Sequence, residues 1–226
     1  MKQLSIGDLV SRAWDFSVKH WPVFIIIVII ENALGSLTGG DPTAFTMLGQ
    51  NPDPREVVEA LNSAYNPLRI AIVVLVMTYL SIITYRMLVN TITKGRPYEE
   101  GALLEALKVD LTTYGFFLGV ELVLGMALIF GFLLFIIPGI ILSVRWWFTP
   151  LIAATENVSL RQAFGRSWEI TRGHFWELFL LGIVCFGIVI VGFCACCVGV
   201  IFAEVVVKFI GVLAYQDLGG LDATQE

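Results

Sequence analysis

Two apolar runs set the terms for this chain. Residues 113–154 make 42 positions in which only Glu121 and Arg145 carry charge. As one helix the run would extend about 60 Å, twice the hydrocarbon thickness of a bilayer. It must therefore fold back. Pro138-Gly139 supplies the break, because proline lacks an amide donor and glycine opens the backbone to a turn. Residues 175–215 pose the same problem, and the Gly/Cys-rich stretch 192–199 offers the second turn. Shorter blocks at 22–38, which contains Glu31, and at 67–88 each suffice for one crossing.

The prediction is an all-α polytopic membrane bundle: six transmembrane helices arranged as three hairpins in a single domain over residues 1–226. The expected spans are 22–38, 67–88, 113–136, 139–154, 175–196 and 199–216, with an interfacial helix at 4–20 and an external loop at 39–66. Composition agrees, with 57% hydrophobic and 15% charged residues against about 25% charged in a soluble domain. Ala33-Leu34-Gly35 has the form of a signal-peptidase site, but the long amphipathic segment before it argues against cleavage.

Lysine and arginine orient the spans. Lys2, Arg12, Lys19, Lys94, Arg96, Lys108, Arg161, Arg166 and Arg172 fall on one side, with only Arg55 and Arg69 on the other. The bias predicts a plasma-membrane protein with both termini in the cytoplasm. In the external loop, Asp53-Pro54-Arg55-Glu56 has the form of a helix start, so a short helix is expected before Pro67.

Residues 5–24 align with 159–178 without a gap. Ser5 matches Ser159, Arg12 matches Arg166, Trp14-Asp15 matches Trp168-Glu169, Ser17 matches Thr171 and His20 matches His174. Each copy is an amphipathic helix that runs into a span. In the second, Leu160, Ala163, Phe164, Ser167, Trp168 and Thr171 share one face. Helices of this kind lie in the headgroup plane, with tryptophan at the boundary and arginine toward phosphates. A weaker third copy occupies 99–108.

The run Ile137-Pro138-Gly139-Ile140-Ile141, then Arg145-Trp146, Glu156, Ala163-Phe164-Gly165-Arg166-Ser167-Trp168 and Thr171-Arg172-Gly173-His174-Phe175-Trp176 resembles one family signature. It is similar to that of the glycerophosphoryl diester phosphodiesterase membrane-domain family and related six-span bacterial proteins. The close match covers about residues 130–180. The resemblance implies a fold and a membrane setting. In some members the domain precedes a soluble phosphodiesterase barrel, for which this sequence leaves no room, so the enzymatic activity is not expected to carry over.

Charges within spans are costly and mark candidate sites. Counted along ideal helices, Arg145, Glu121, Glu31, Glu204 and Lys208 fall in one layer near the midplane. Two readings stand: a polar pathway or headgroup site, or mutual pairing of Glu204 with Lys208 and of Arg145 with Glu121 or Glu31. Arg145, beside Trp146, Trp147 and Pro150, is the strongest ligand candidate. The interfacial candidates are Arg12, Trp14, His20, Arg166, Trp168 and His174. Two histidines without nearby ligand spacing make a poor metal site, so no metal and no cofactor is expected. Cys185, Cys194, Cys196 and Cys197 suit helix packing, with a disulfide near the external turn as the lesser reading. Gly35-x-x-x-Gly39 and Gly115-x-x-x-Gly119 fit close helix approach.

The net charge of −5 and the lack of a basic run argue against nucleic acid. No nucleophile triad, HExxH motif or phosphate-binding glycine loop occurs; Glu31 with Glu121 is the only pair resembling an intramembrane hydrolase, so no enzymatic activity is expected. Two functions remain: handling of a lipid or other amphipathic molecule, with membrane lipids as partners, or a scaffold or accessory subunit with a membrane-protein partner.

Overall fold

A computed structural model describes residues 4–36, 67–94, 100–134, 136–156, 158–194 and 196–221. Every regular element among them is helical: α1 (Ile6–Ser36), α2 (Pro67–Lys94), α3 (Glu100–Leu107), α4 (Leu111–Leu134), α5 (Ile136–Arg145), α6 (Thr149–Thr155), α7 (Leu160–Ile170), α8 (Phe175–Cys194) and α9 (Cys196–Asp217). The external loop 39–66, with the helix expected after Asp53, lies outside the described residues.

Among the described residues, five segments are long and apolar enough to cross a bilayer: Ile70–Thr93, Leu111–Leu133, Ile137–Thr155, Phe175–Cys194 and Gly199–Asp217. A sixth arises if the bent pair Ile6–His20 and Phe24–Leu34 counts as one span. The two arms of α1 meet at 90° around Pro22, whose ring clashes with the preceding turn and removes a backbone hydrogen bond. The arm beyond the bend, residues 24–36, is about 20 Å long at 1.5 Å per residue.

Turns fall close to where glycine and proline stand in the sequence. α4 ends at Leu134 and α5 begins at Ile136, which puts Pro138 in the first turn of α5, where a missing amide donor costs nothing. α8 gives way to α9 between Cys194 and Cys196. At both reversals a pair of glycines lets the backbones approach. A methyl group at Gly131 would lie 3.1 Å from Gly139 Cα, and one at Gly192 would lie 2.6 Å from the Gly199 carbonyl oxygen. The Gly115/Gly119 pattern plays no such part. A methyl at Gly115 would meet nothing within 4 Å, and one at Gly119 only the tip of Leu160.

The fourth segment departs from the expected single helix. It breaks at Trp146-Trp147-Phe148 into α5 and α6, and each ring of the break anchors elsewhere. Trp146 meets Phe164 of α7 edge-on at 5.0 Å, and Phe148 packs on Tyr215 of α9 at 5.4 Å. Trp147 lodges in the α8/α9 seam, 3.1 Å from where a methyl on Gly182 would stand and 3.5 Å from one on Gly211. Burial of Phe148 and the ring contacts of the half-buried Trp146 and Trp147 offset the loss of helical hydrogen bonds at the turn.

The core sits where α9 meets α1, α2 and α8. Phe24, Val28, Ile82, Leu88, Leu178, Leu181, Phe209, Ile210 and Leu213 are buried there. By contrast α4 shows Leu122, Ile129, Phe130 and Leu133 on its surface, more than half exposed, as lipid-facing positions of a span should be.

Candidate functional site

The two aligned segments fold alike. From residue 5 to 19 and from 159 to 173 the alternation of buried, half-buried and exposed positions is identical. Leu9, Ala13 and Ser17 are buried in one copy; Ala163, Ser167 and Thr171 are buried in the other. Ser17 and Thr171 each donate to the carbonyl four residues back, of Ala13 and of Ser167. The copies diverge at one position. Gly173 has φ of 93° and ends α7, whereas its counterpart Lys19 stays helical and α1 continues to the Pro22 bend. Only glycine enters the left-handed region without steric cost.

In each copy the arginine and the tryptophan two residues later point opposite ways. Arg12 pairs with Asp217 at the end of α9, and with Asp8 at 3.0 Å. The Asp217 hydrogen bond foremost raises the guanidinium's pKa above its ordinary value, partly opposed by burial. Trp14 reaches Phe202, with centroids 5.3 Å apart. Asp217 and Phe202 stand about 22 Å apart along α9. In the second copy Arg166 pairs with the buried Glu156 and donates to the Gly220 carbonyl at 3.2 Å, while Tyr215 donates to the same Glu156 at 2.6 Å. Trp168 turns instead toward Arg145. In both copies the arginine is thus held by a carboxylate of the bundle, while the tryptophan, about half exposed, meets a different helix.

The histidines differ. His174 Nδ1 lies 2.8 Å from Glu177, whose carboxylate also accepts the Leu4 amide at 3.3 Å and so ties the start of the chain to α8. His20 is buried at the bend beside Phe16, where desolvation, aided by Lys19, lowers its pKa from the ordinary imidazole value.

The charged residues read as one layer separate into three groups. Lys208 bridges Glu31 and Glu204, the latter at 3.3 Å. Thr84 donates to Glu31 at 3.0 Å and Asn32 to Glu204 at 3.2 Å, completing a polar knot among α1, α2 and α9. Glu121 stands apart on α4 and accepts a hydrogen bond from Thr78 at 2.9 Å.

Arg145 belongs to neither group, and its expected pairing with Glu121 or Glu31 does not form. Glu31 is taken by Lys208, and the break after Arg145 turns its side chain toward α7. The guanidinium carbon lies 5.0 Å from the Trp168 ring centre and 5.7 Å from that of Phe175, the first residue of α8. Ser167 and Thr171 donate to its carbonyl oxygen at 2.9 and 3.4 Å. Arg145 therefore closes α5 within the candidate span Ile137–Thr155, with its guanidinium against the first residue of the next candidate span.

A groove of about 510 Å³ runs along the α8/α9 seam. Its lining includes Val184, Ile188, Val191, Phe202 and Val206, with Gly187, Gly192, Gly199 and Ala203 leaving the space open and Trp14 on its wall. Cys185 is buried nearby and Cys194 is exposed; both are free thiols. A smaller polar cavity of about 380 Å³ lies beside Asp110, Thr113, Phe116 and Glu156.

Three elements of this architecture had weak sequence signals. Arg86 donates to the carbonyls of Ala154 and Lys108 at 2.8 and 2.9 Å, holding α6 and the α3/α4 junction to α2. Its signal was an arginine inside an apolar segment. Glu156 and Tyr215 became partners only through the fold. The groove follows from the spacing of small residues on two helices whose register the sequence leaves open.

Residues 117–216 match the family described as the membrane domain of glycerophosphoryl diester phosphodiesterase. The matched stretch holds α5 to α8 entire, most of α4 and all but the last residue of α9, and so takes in the aromatic break, Arg145, Glu156, the second interfacial helix and the groove. No curated protein and no solved structure matches the chain.

Proposed function

We propose that this multi-pass membrane protein is a non-enzymatic lipid-binding protein that holds an acyl chain in the α8/α9 groove. In this reading it resides in the plasma membrane with both termini cytoplasmic, the side on which nine of eleven oriented lysines and arginines fall. The observation that carries the reading is the groove. Its volume lies within the 300–1,000 Å³ range of small-molecule sites. It opens beside α8, whose outer face shows Ile183, Phe186 and Phe193 to the surroundings. An occupant arriving from a bilayer is a hydrocarbon chain. Trp14, on the first repeat helix, supplies an aromatic side to the groove against which an acyl chain can pack.

The test is photo-crosslinking with a phospholipid carrying a diazirine on its acyl chain, with labelled peptides mapped by mass spectrometry. The expected result is saturable labelling of α8 and α9 at groove positions and proportional, non-saturable labelling on the exposed α4 face. A methyl at Gly187 would meet nothing within 4 Å, so a side chain can leave the backbone there, and Gly187→Phe places a ring in the groove that Gly187 lines. It should remove the saturable component alone. Equal, non-saturable labelling of both faces in wild type and variant would reject the reading.

A further inference from the structure

Arg145 is incompletely satisfied. Its Nε and Nη1 are buried without a hydrogen-bond partner, and no carboxylate lies within salt-bridge distance, among the described residues. Its environment is two aromatic faces, Trp168 and Phe175. Aromatic faces compensate part of the desolvation of a guanidinium but none of its hydrogen bonds. The other arginines described above do find oxygen: Arg12 at Asp217, Arg86 at two carbonyls, and Arg166 at Glu156 and Gly220.

The surroundings point to a ligand class. Arg145 falls within the candidate span Ile137–Thr155, but its guanidinium meets Trp168 on an amphipathic helix and Phe175, which opens the next candidate span. Such helices and span ends belong at the headgroup level, where the abundant anion is phosphate. The planar fork of arginine matches a phosphate bidentately in a way a lysine cannot. Trp168 is 42% exposed and forms the outer wall, so rotation of its indole uncovers the guanidinium edge.

We propose that Arg145, walled by Trp168 and Phe175, binds a phosphate oxyanion at the membrane boundary. The proposal rests on the lipid-binding reading in one respect only: it names the headgroup chemistry that would accompany the acyl chain. A lipid phosphate and free inorganic phosphate share this chemistry, and the experiment separates them.

The full chain is placed in nanodiscs of phosphatidylcholine with graded phosphatidic acid, and retained lipids are counted by native mass spectrometry. Wild type is expected to retain phosphatidic acid at least tenfold over its share of the bilayer. Arg145→Met, which keeps an apolar stem between the rings, should lose that preference and still retain lipid. Arg161→Gln and Arg172→Gln, which remove exposed charges from the same repeat, should keep the preference and so separate a site from general surface charge. Gly187→Phe reads the groove independently: its failure to reduce retention rejects the acyl-chain reading and leaves the anion site standing.

In detergent without lipid, inorganic phosphate is added against a sulfate control, with tryptophan emission as readout. An Arg145-dependent response makes free phosphate a ligand, whereas silence there with selectivity in discs assigns the lipid. If Arg145→Met does not fold, wild type is heated with dihexanoyl phosphatidate or dihexanoyl phosphatidylcholine. A higher melting temperature with the first alone, reduced in Arg145→Lys, supports the site. Equal retention of both lipids by wild type, or by wild type and Arg145→Met alike, with no phosphate response and no thermal shift, overturns it.

Discussion

Lys208→Met keeps the length of the lysine stem but leaves Glu31 without its cation inside the bundle. The Glu31 side chain is 7% exposed and Lys208 21%, so water does little to screen the loss. Removing one member of a buried pair costs about 3–5 kcal/mol, because the remaining charge stays desolvated. The Thr84 hydrogen bond to Glu31 persists and places the expected cost toward the lower end of that range. Glu204 keeps Asn32 and is 37% exposed, so it adds little. At roughly 2–4 °C per kcal/mol for a domain of this size, the melting temperature should fall on the order of 10 °C. The double variant Glu31→Gln/Lys208→Met removes the stranded charge and should recover to within about 1 kcal/mol of wild type, since a neutral replacement of a buried pair is often close to isoenergetic. The assay is thermal unfolding in one detergent, with the four corners of the cycle measured together. A single variant as stable as wild type, or a double variant no better than the single, would refute the argument that this knot is a desolvated ion pair.

Three further outcomes follow from the same geometry. Gly192→Val should destabilise by about 1–3 kcal/mol, as overpacking does, since its Cβ would meet backbone at 2.6 Å; Gly115→Val should shift the melting temperature little, because the space there is open. Arg166→Gln should cost far more than Arg12→Gln although the residues occupy equivalent repeat positions. Its partner Glu156 is buried, whereas the Arg12–Asp217 pair is about one-third exposed and such pairs contribute about 0–1 kcal/mol. His20 titrates below the usual imidazole value when folded, so the unfolded chain binds the proton first. Stability should therefore fall as pH drops below about 6.5, by at most about 1.4 kcal/mol per unit. His20→Gln should flatten that part of the pH–stability curve, and an unchanged slope would contradict the assignment.

The helical class, the reversals near Pro138 and Gly192–Gly199 and the repeat were legible because each rests on local pattern: length of apolar run, backbone breakers and helical spacing. Arg145 shows where that legibility stops. Counting residues along an ideal helix placed it deep in a span, but three consecutive aromatics, each with a better partner on another helix, break the helix immediately after it. Tertiary packing decided which groups its guanidinium meets. Glu156 with Tyr215, and Arg86 with two carbonyls, were hidden for a related reason: each pairing joins residues more than fifty positions apart or draws on backbone acceptors, which leave no mark in a sequence. The Gly115/Gly119 pattern illustrates the reverse case, a local motif that meets no helix backbone among the described residues, only the tip of Leu160.

Native mass spectrometry of wild type and Gly187→Phe, extracted without detergent into polymer-bounded discs, tests the lipid-binding account most directly. The account predicts one retained phospholipid per wild-type chain after activation strips the annular lipids, and none in the folded variant. Loss of lipid from both at the same activation energy would contradict it.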